Sequence, residues 1–361
     1  MRVAVDGRSL VGGGGRGVAH YTSALLRALA AAFPGDEWRV VVPRGAVAAV
    51  PDGVSLVRSP LPSRVLFGAA ALSGRPRLDR LAGGCDAVWA PAPAPLAVSR
   101  GVPLVVTVHD RSWEERPGDF TAYERAWHRL ARPRVLARRA GRVVTTTEHG
   151  RRDVVVAWGL DPARVVAVPP APVVVPGARA SGAAAASAPA APAATTRADA
   201  MGSYFLFVGA LEPRKAPEVL AVAASIARGR GLDARVVVVG DGRVAVPGLA
   251  RAGRVDDAAL SALYAGALAL VVPSRLEGFG LPAVEALAHG TPVIATGLAP
   301  VREVLGDAAT YVPVDDPEAL AAAMVDAEAH PCRADPGAVA HLSWTRAAQA
   351  TRAALAEAAG A

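Results

Sequence analysis

The sequence predicts an α/β protein built from two doubly wound parallel sheets, one in each half of the chain. Three observations carry that expectation. Short Val/Ile/Leu runs alternate with helical patterns along almost the whole length. The runs are continuous rather than alternating, as in strands buried on both faces of a parallel sheet. Between the halves lies "PGARASGAAAASAPAAPAATTRADAMG", residues 176–202, an Ala/Pro/Ser/Thr stretch without apolar periodicity that reads as a linker. A chain of 361 residues can bury a core in each of two such domains.

In the first half the strand candidates are 2–6, 38–43, 54–57, 86–91, 103–109, 142–147 and 164–169, with helices expected over 17–32, 121–140 and 148–158. Pro133 is expected to kink or split the middle helix, because its ring blocks the preceding turn. In the second half strands are expected at 204–209, 234–240, 267–273, 292–296 and 310–314, and helices near 217–229, 256–265, 282–289 and 317–329. Sheets of this kind bind ligands outside the carboxyl ends of their strands. The loops after the strands are therefore where function is sought.

Composition narrows the classes. Hydrophobic residues make up 52% and charged residues 20%, as in a folded globular protein. No apolar run reaches the roughly 18 residues of a membrane span, and "MRVAVDGRSL" lacks the apolar core of a signal peptide. Cys85 and Cys332 match no metal or redox spacing and are expected to be unpaired thiols in a reducing cytoplasm. Residues 1–175 carry 24 Arg against 14 acids, a net +10, whereas 176–361 carry 15 basic against 18 acidic residues, a net −3. The first half is thus expected to face something anionic. Nucleic acid is disfavoured, since the basic stretches lack interleaved aromatics for stacking bases.

Lys215, in "ALEPRKAPEVL", is the only lysine among 39 basic residues. It follows the strand at 204–209, beside Arg214, and precedes a helix whose start suits Pro217 and Glu218. A strand-to-helix turn exposes amides to an anion. An ammonium and a guanidinium there are suited to phosphate; two solvated cations are the plain alternative.

The second loop is "PSRLEGFGLPAVEALAHGTPVIAT", residues 273–296. Gly278 and Gly280 permit close backbone approach, and amides around Phe279 and Leu281 can meet phosphate oxygens. Glu277 in the loop and Glu285 in the following helix can both face one cleft and accept from paired hydroxyls. A glycosidase acid/base pair would also use two carboxylates, but a Lys/Arg pair and an amide-lined loop favour a diphosphate leaving group. In the first half, "GRSLVGGGGRGVAHYTSALLRAL" is a Gly-rich loop without a phosphate-loop Lys-Ser/Thr. Gly17 is either a point of close approach to a ligand or part of a plain turn. His109, in "VVTVHDRSW", ends a buried strand beside Asp110.

Together these segments resemble glycosyltransferase family 4, whose members are retaining, sugar-nucleotide-dependent enzymes of the GT-B architecture. The resemblance rests on "GRGVAHYT", "VTVHD", "VVTTTEHGRRDV", "LFVGALEPRKAP", "VPSRLEGFGLPAVEALAHGTPVIAT" and "REVLGDAATYVPVDDPEAL". The wording is most similar to bacterial mannosyltransferase and rhamnosyltransferase members, which serve cell-envelope polysaccharide synthesis. It implies two Rossmann-like domains with a cleft between them: 1–175 on the acceptor side, and 203–342 binding the donor nucleotide. A C-terminal helix, 343–361, would pack back on the first. Arg214 and Lys215 would then bind the donor diphosphate, and Gly278 and Phe279 would offer amides to the phosphates or the sugar. Glu277 would contact the donor sugar, Glu285 the ribose and His109 the transferred sugar. Gly17 would let the N-terminal loop approach the diphosphate. The base-binding wall is expected near Arg254 and Val255. No cofactor and no metal are implied, and neither motif loop holds an Asp-x-Asp cluster.

Seven arginines lie between residues 123 and 142, among Trp127, Leu130, Val135 and Leu136. They read either as a solvated face or as a segment held to anionic lipid. The expectation is a cytoplasmic enzyme with a lipid-linked or glycan acceptor, its place on the inner face of the cell membrane left open. A soluble natural-product glycosyltransferase and a catalytically idle sugar-nucleotide-binding protein are the alternatives.

Overall fold

The computed structural model describes residues 1–11, 17–174 and 202–360. The stretch read as a linker lies outside these residues, apart from Gly202. The chain divides into one unit of Met1–Ala171 with Leu342–Ala361 and a second of Pro172–His341.

The first unit holds a seven-stranded sheet in the order β3-β2-β1-β4-β5-β6-β7, parallel throughout. Its strands are β1 (Arg2–Asp6), β2 (Glu37–Val42), β3 (Val54–Arg58), β4 (Ala87–Ala90), β5 (Leu104–Val108), β6 (Arg142–Thr145) and β7 (Val165–Ala167). Every residue of β4 and β5 is buried, which is why those runs carry no polar alternation. The helices of this unit include α1 (Gly17–Ala32), α2 (Ser63–Ser73), α3 (Ala122–Ala131), α4 (Pro133–Arg139) and α5 (Glu148–Trp158). The helix expected over 121–140 is two: Arg132 takes φ 46° between α3 and Pro133, the first residue of α4. A capping box between Thr121 and Glu124 starts α3. The C-terminal helix Trp344–Ala359 packs on α1 and over β4, β5 and β6, burying Ala347, Ala348, Thr351, Ala354 and Leu355. Arg352 pairs with Asp36 at 2.9 Å and Glu357 with Arg142 at 2.7 Å.

The second unit holds six parallel strands in the order β10-β9-β8-β11-β12-β13. They are β8 (Tyr204–Val208), β9 (Arg235–Val239), β10 (Ala250–Gly253), β11 (Ala269–Val272), β12 (Val293–Thr296) and β13 (Thr310–Val312). Strand β10 has no counterpart in the sequence reading. It is an edge strand, "ARAG", with three of four residues exposed, so it has no apolar run to betray it. Three helices matter below: α6 (Pro217–Gly229), α7 (Asp257–Gly266) and α8 (Leu281–Ala288). Phe205, Phe207, Leu220, Val236, Val238, Val271, Ile294 and Met324 form a core between the sheet, α6 and the helix Pro317–Ala329, each large side chain contributing about 1.5–3 kcal/mol on burial. Strand order reverses between β8 and β11, so the loops after those two strands open at the switch point.

Candidate active site

Those two loops carry Lys215 and the Glu277–Leu281 segment. After β8 the backbone is fixed against the loop after β9. The amide of Gly209 donates to Val239 O, that of Leu211 to Asp241 O, and that of Val244 to Leu211 O. A Cβ on Gly240, at φ +130°, would lie 2.0 Å from the carbonyl oxygen of Gly209, so only glycine fits. From this base the chain makes one short 3-10 turn, Pro213–Lys215, and enters α6 through Ala216, a buried alanine at φ 46°.

The turn aims Lys215 at the second loop. Lys215 Nζ lies 2.5 Å from Glu277 Oε1, with side-chain exposures of only 14% and 6%. The Ser274 hydroxyl donates to the same carboxylate oxygen at 2.7 Å. Arg214 pairs with Glu212 at 3.1 Å. Neither cation is therefore simply solvated: each has a carboxylate partner, and the lone lysine is the more enclosed of the two.

Beyond Glu277 the loop turns through Gly278 and buried Phe279 to Gly280, at φ 92°, which caps α8 without a side-chain hydrogen bond. Among the described residues none accepts a hydrogen bond from the amides of Phe279, Gly280 or Leu281. These amides stand two to four residues from the Lys215 partner, at the positive end of a helix, an arrangement that suits an anion. Glu285, one turn into α8, is buried and accepts from the hydroxyl of Tyr264 at 2.9 Å. Burial, with the charge of Glu285, raises the Tyr264 pKa well above its ordinary value, so this hydroxyl stays a donor. Glu277 and Glu285 thus have different neighbours, a lysine and a tyrosine, and differ accordingly as acceptors.

Arg254 is exposed and pairs with Asp241 at 3.4 Å; Val255 beside it is half-buried, at the carboxyl end of β10. In the first unit His109 follows β5. Its Nε2 lies 2.9 Å from the carbonyl oxygen of Pro91, so Nε2 carries the proton. The ring meets Tyr21 edge-on at 4.7 Å. Burial pulls the His109 pKa below the ordinary imidazole value, against the Pro91 bond and the charge of Asp110. Gly17 is exposed at the start of α1, and an added Cβ would meet nothing within 4 Å. The rest of the Gly-rich loop, residues 12–16, lies outside the described residues.

Three neighbours escaped the sequence reading. Tyr264 orients Glu285, Ser274 orients Glu277, and Arg275 binds both loops. Ser274 and Arg275 lie inside the 273–296 motif, but nothing in the motif singles either of them out, and Tyr264 lies outside it. A fourth feature lies in the first unit, where the Arg8 guanidinium pairs with Asp6 and is covered by the rings of Phe67 at 4.7 Å and Trp127 at 5.5 Å. Asp6 and Phe67 also line an apolar recess with Leu66, Ala70, Leu78 and Leu96. Among the described residues no group of three or more His, Cys, Asp or Glu side chains is arranged to hold a metal ion.

Residues 202–329 match the family model "Glycosyl transferases group 1", and residues 16–171 match "Glycosyl transferase 4-like domain". The chain is 32% identical over 236 residues to the D-inositol 3-phosphate glycosyltransferase of Actinosynnema mirum, covering 58% of this chain and 54% of that protein. It thus spans about half the length of that curated relative. A shorter match, 43% over 70 residues, is to O-antigen chain mannosyltransferase B of Escherichia coli, covering 19% of this chain and 18% of that one. In fold the chain is similar to the HepE protein of Anabaena, determined in complex with UDP and glucose. The TM-score is 0.64 at 15% identity, covering 98% of this chain and 95% of that one.

Proposed function

The chain belongs to the group 1, or family 4, glycosyltransferases of GT-B fold, and from that premise we propose that it moves a hexose from a nucleoside diphosphate sugar to a hydroxyl acceptor. One observation carries the reading. The lone lysine and a row of unengaged amides meet at the switch point of the second unit's sheet. A diphosphate there receives Lys215, Arg214 and the amides of Phe279–Leu281, and Gly278 lets it approach. These groups stabilise the charge that develops as the bond to the sugar breaks, and no general acid is needed. Lys215 exchanges Glu277 for phosphate oxygen, which releases that carboxylate to a sugar hydroxyl. Glu285, held by Tyr264, accepts from the ribose, and Arg254 with Val255 borders the base. His109, neutral at pH 7, meets the transferred sugar, with Gly17 at the entrance of the N-terminal loop. Transfer proceeds with retention and without metal, as the family resemblance implies.

For the sugar we favour mannose or a rhamnose-like hexose, supported by the short mannosyltransferase match. For the acceptor we favour a lipid-linked or glycan hydroxyl in the cell envelope, with the protein cytoplasmic and peripheral to the membrane. Next to α2, helix α3 leaves Tyr123 and Leu130 exposed, and α2 leaves Val65 and Leu72 exposed. The charge of this face is smaller than the sequence suggests. Arg134 and Arg142 pair with Glu114 and Glu357, whereas Arg125, Arg138 and Arg139 donate to backbone carbonyls of the same unit, which fixes their side chains but leaves them, with Arg129 and Arg132, as cations. At about 1 kcal/mol per cation the attraction to anionic lipid is salt-sensitive. No helix among the described residues is long and apolar enough to cross a membrane.

A donor-hydrolysis screen across GDP-, UDP- and dTDP-sugars, with and without chelator, tests the assignment. Turnover of one donor class, unchanged by chelator, is expected. Failure on every donor would favour an idle nucleotide-binding protein. Co-sedimentation with anionic vesicles at low salt tests the surface, and no binding there would favour a soluble acceptor.

A further inference from the structure

Arg275 stands between the two halves of this site and touches both. Its backbone amide donates to Arg214 O at 2.8 Å, and its Nη1 donates to Pro213 O at 2.7 Å. The same Nη1 pairs with Glu218 in the first turn of α6, and Nε pairs with Asp315, just past β13, at 2.6 Å. The side chain is only 16% exposed. One residue thus ties the Lys215 turn, the head of α6 and the loop after β13 to the loop that carries Glu277 and the free amides. Burial opposes its charge, but Glu218 and Asp315 raise its pKa further, so the guanidinium stays cationic.

Backbone strain marks the same contacts. Arg132, Ala216 and Asp315 are the described non-glycine residues at positive φ, and the last two lie on segments that Arg275 binds. Such conformations persist where their surroundings over-determine them. Ala216 at 46° sets the exit from the Lys215 turn, and Asp315 at 57° presents its carboxylate to Nε. A lysine has no fork with which to reach a carbonyl and two carboxylates on three segments at once.

We propose that Arg275 is the positioning residue of the diphosphate site: it locks the Pro213–Lys215 turn to the 274–281 loop, so that the ammonium and the amides of Phe279–Leu281 address one ligand together. This rests on the reading of Lys215 as a diphosphate contact. Without the tie the two loops remain but lose their common register, and the loss falls on the phosphates rather than on the base or ribose.

The test is calorimetry on the full chain with UDP, GDP and dTDP, and with the matching nucleosides, for wild type, R275K, R275Q, D315N and K215A, with thermal unfolding run beside it. R275K and R275Q are expected to raise Kd for the preferred diphosphate at least tenfold while moving Kd for its nucleoside less than twofold, and D315N to do the same more weakly. Should R275Q not fold, R275K and D315N carry the comparison. A lowered unfolding temperature with both ligands unchanged, or both weakened equally, would overturn the proposal and leave Arg275 a structural tie. K215A separates the two levels. If K215A weakens the diphosphate and R275K does not, this inference alone falls; if K215A changes nothing, the diphosphate reading falls with it.

Discussion

Replacing Lys215 by Met removes the ammonium and keeps the stem. The enclosure of the Lys215–Glu277 pair sets the size of the effect. Glu277 is 6% exposed and would keep the Ser274 hydroxyl as a donor, so its carboxylate would be left buried without a cation. Breaking a buried pair from one side costs about 3–5 kcal/mol. Since Ser274 remains, the lower end is expected, about 3 kcal/mol, or roughly 6–12 °C in the unfolding of a unit of this size. K215M/E277Q removes the orphaned charge and should recover most of that loss. Activity should not recover. Losing one donor to the departing charge costs about 100- to 1000-fold, and the double variant should stay that far down in kcat/KM. Denaturant unfolding and initial-rate kinetics on the four proteins of the cycle read both quantities. Wild-type turnover in K215M, or a double variant no more stable than K215M, would refute the reasoning.

Other consequences follow from the same geometry. In Y264F, Glu285 loses a buried donor worth about 1.5–3 kcal/mol. Donor KM should rise about tenfold with kcat changed less than twofold, and an equal fall in kcat would place Glu285 elsewhere than on the ribose. For His109, the folded pKa lies below the unfolded value of about 6.5. The unfolded chain therefore takes the proton first. This histidine's contribution to stability is complete above about 6.5 and is lost as pH falls from there through the folded pKa; H109Q should flatten that part of the stability profile. G240A places a Cβ 2.0 Å from the Gly209 carbonyl and should cost more than about 4 kcal/mol, read as loss of soluble protein or of the unfolding transition.

The sheets were legible because their strands are buried on both faces, as "PLVVTVH" and "ARVVVVG" are, and Pro133 announced the break at Arg132. Strand β10 was not, since an exposed edge strand needs no apolar run. Lys215 stood out by composition and Glu277 by its loop, but their pairing joins positions 62 apart in the chain, and no local pattern encodes it. Arg275 was invisible for the opposite reason: it is one arginine among many, and only its four contacts distinguish it. Most arginines of the 123–142 segment looked like a free basic face, yet carbonyls and carboxylates in their own unit take them up. Tyr264 and Gly240 act through neighbours distant in sequence, and a residue's type alone does not reveal such neighbours.

The central claim concerns where the diphosphate sits. A crystal structure of the full chain with UDP or GDP, whichever the donor screen selects, tests it directly. The account predicts phosphate oxygens within about 3 Å of Lys215 Nζ and of the amides of Phe279–Leu281, with Lys215 drawn off Glu277. A diphosphate bound away from these groups, with the Lys215–Glu277 pair intact, would contradict it.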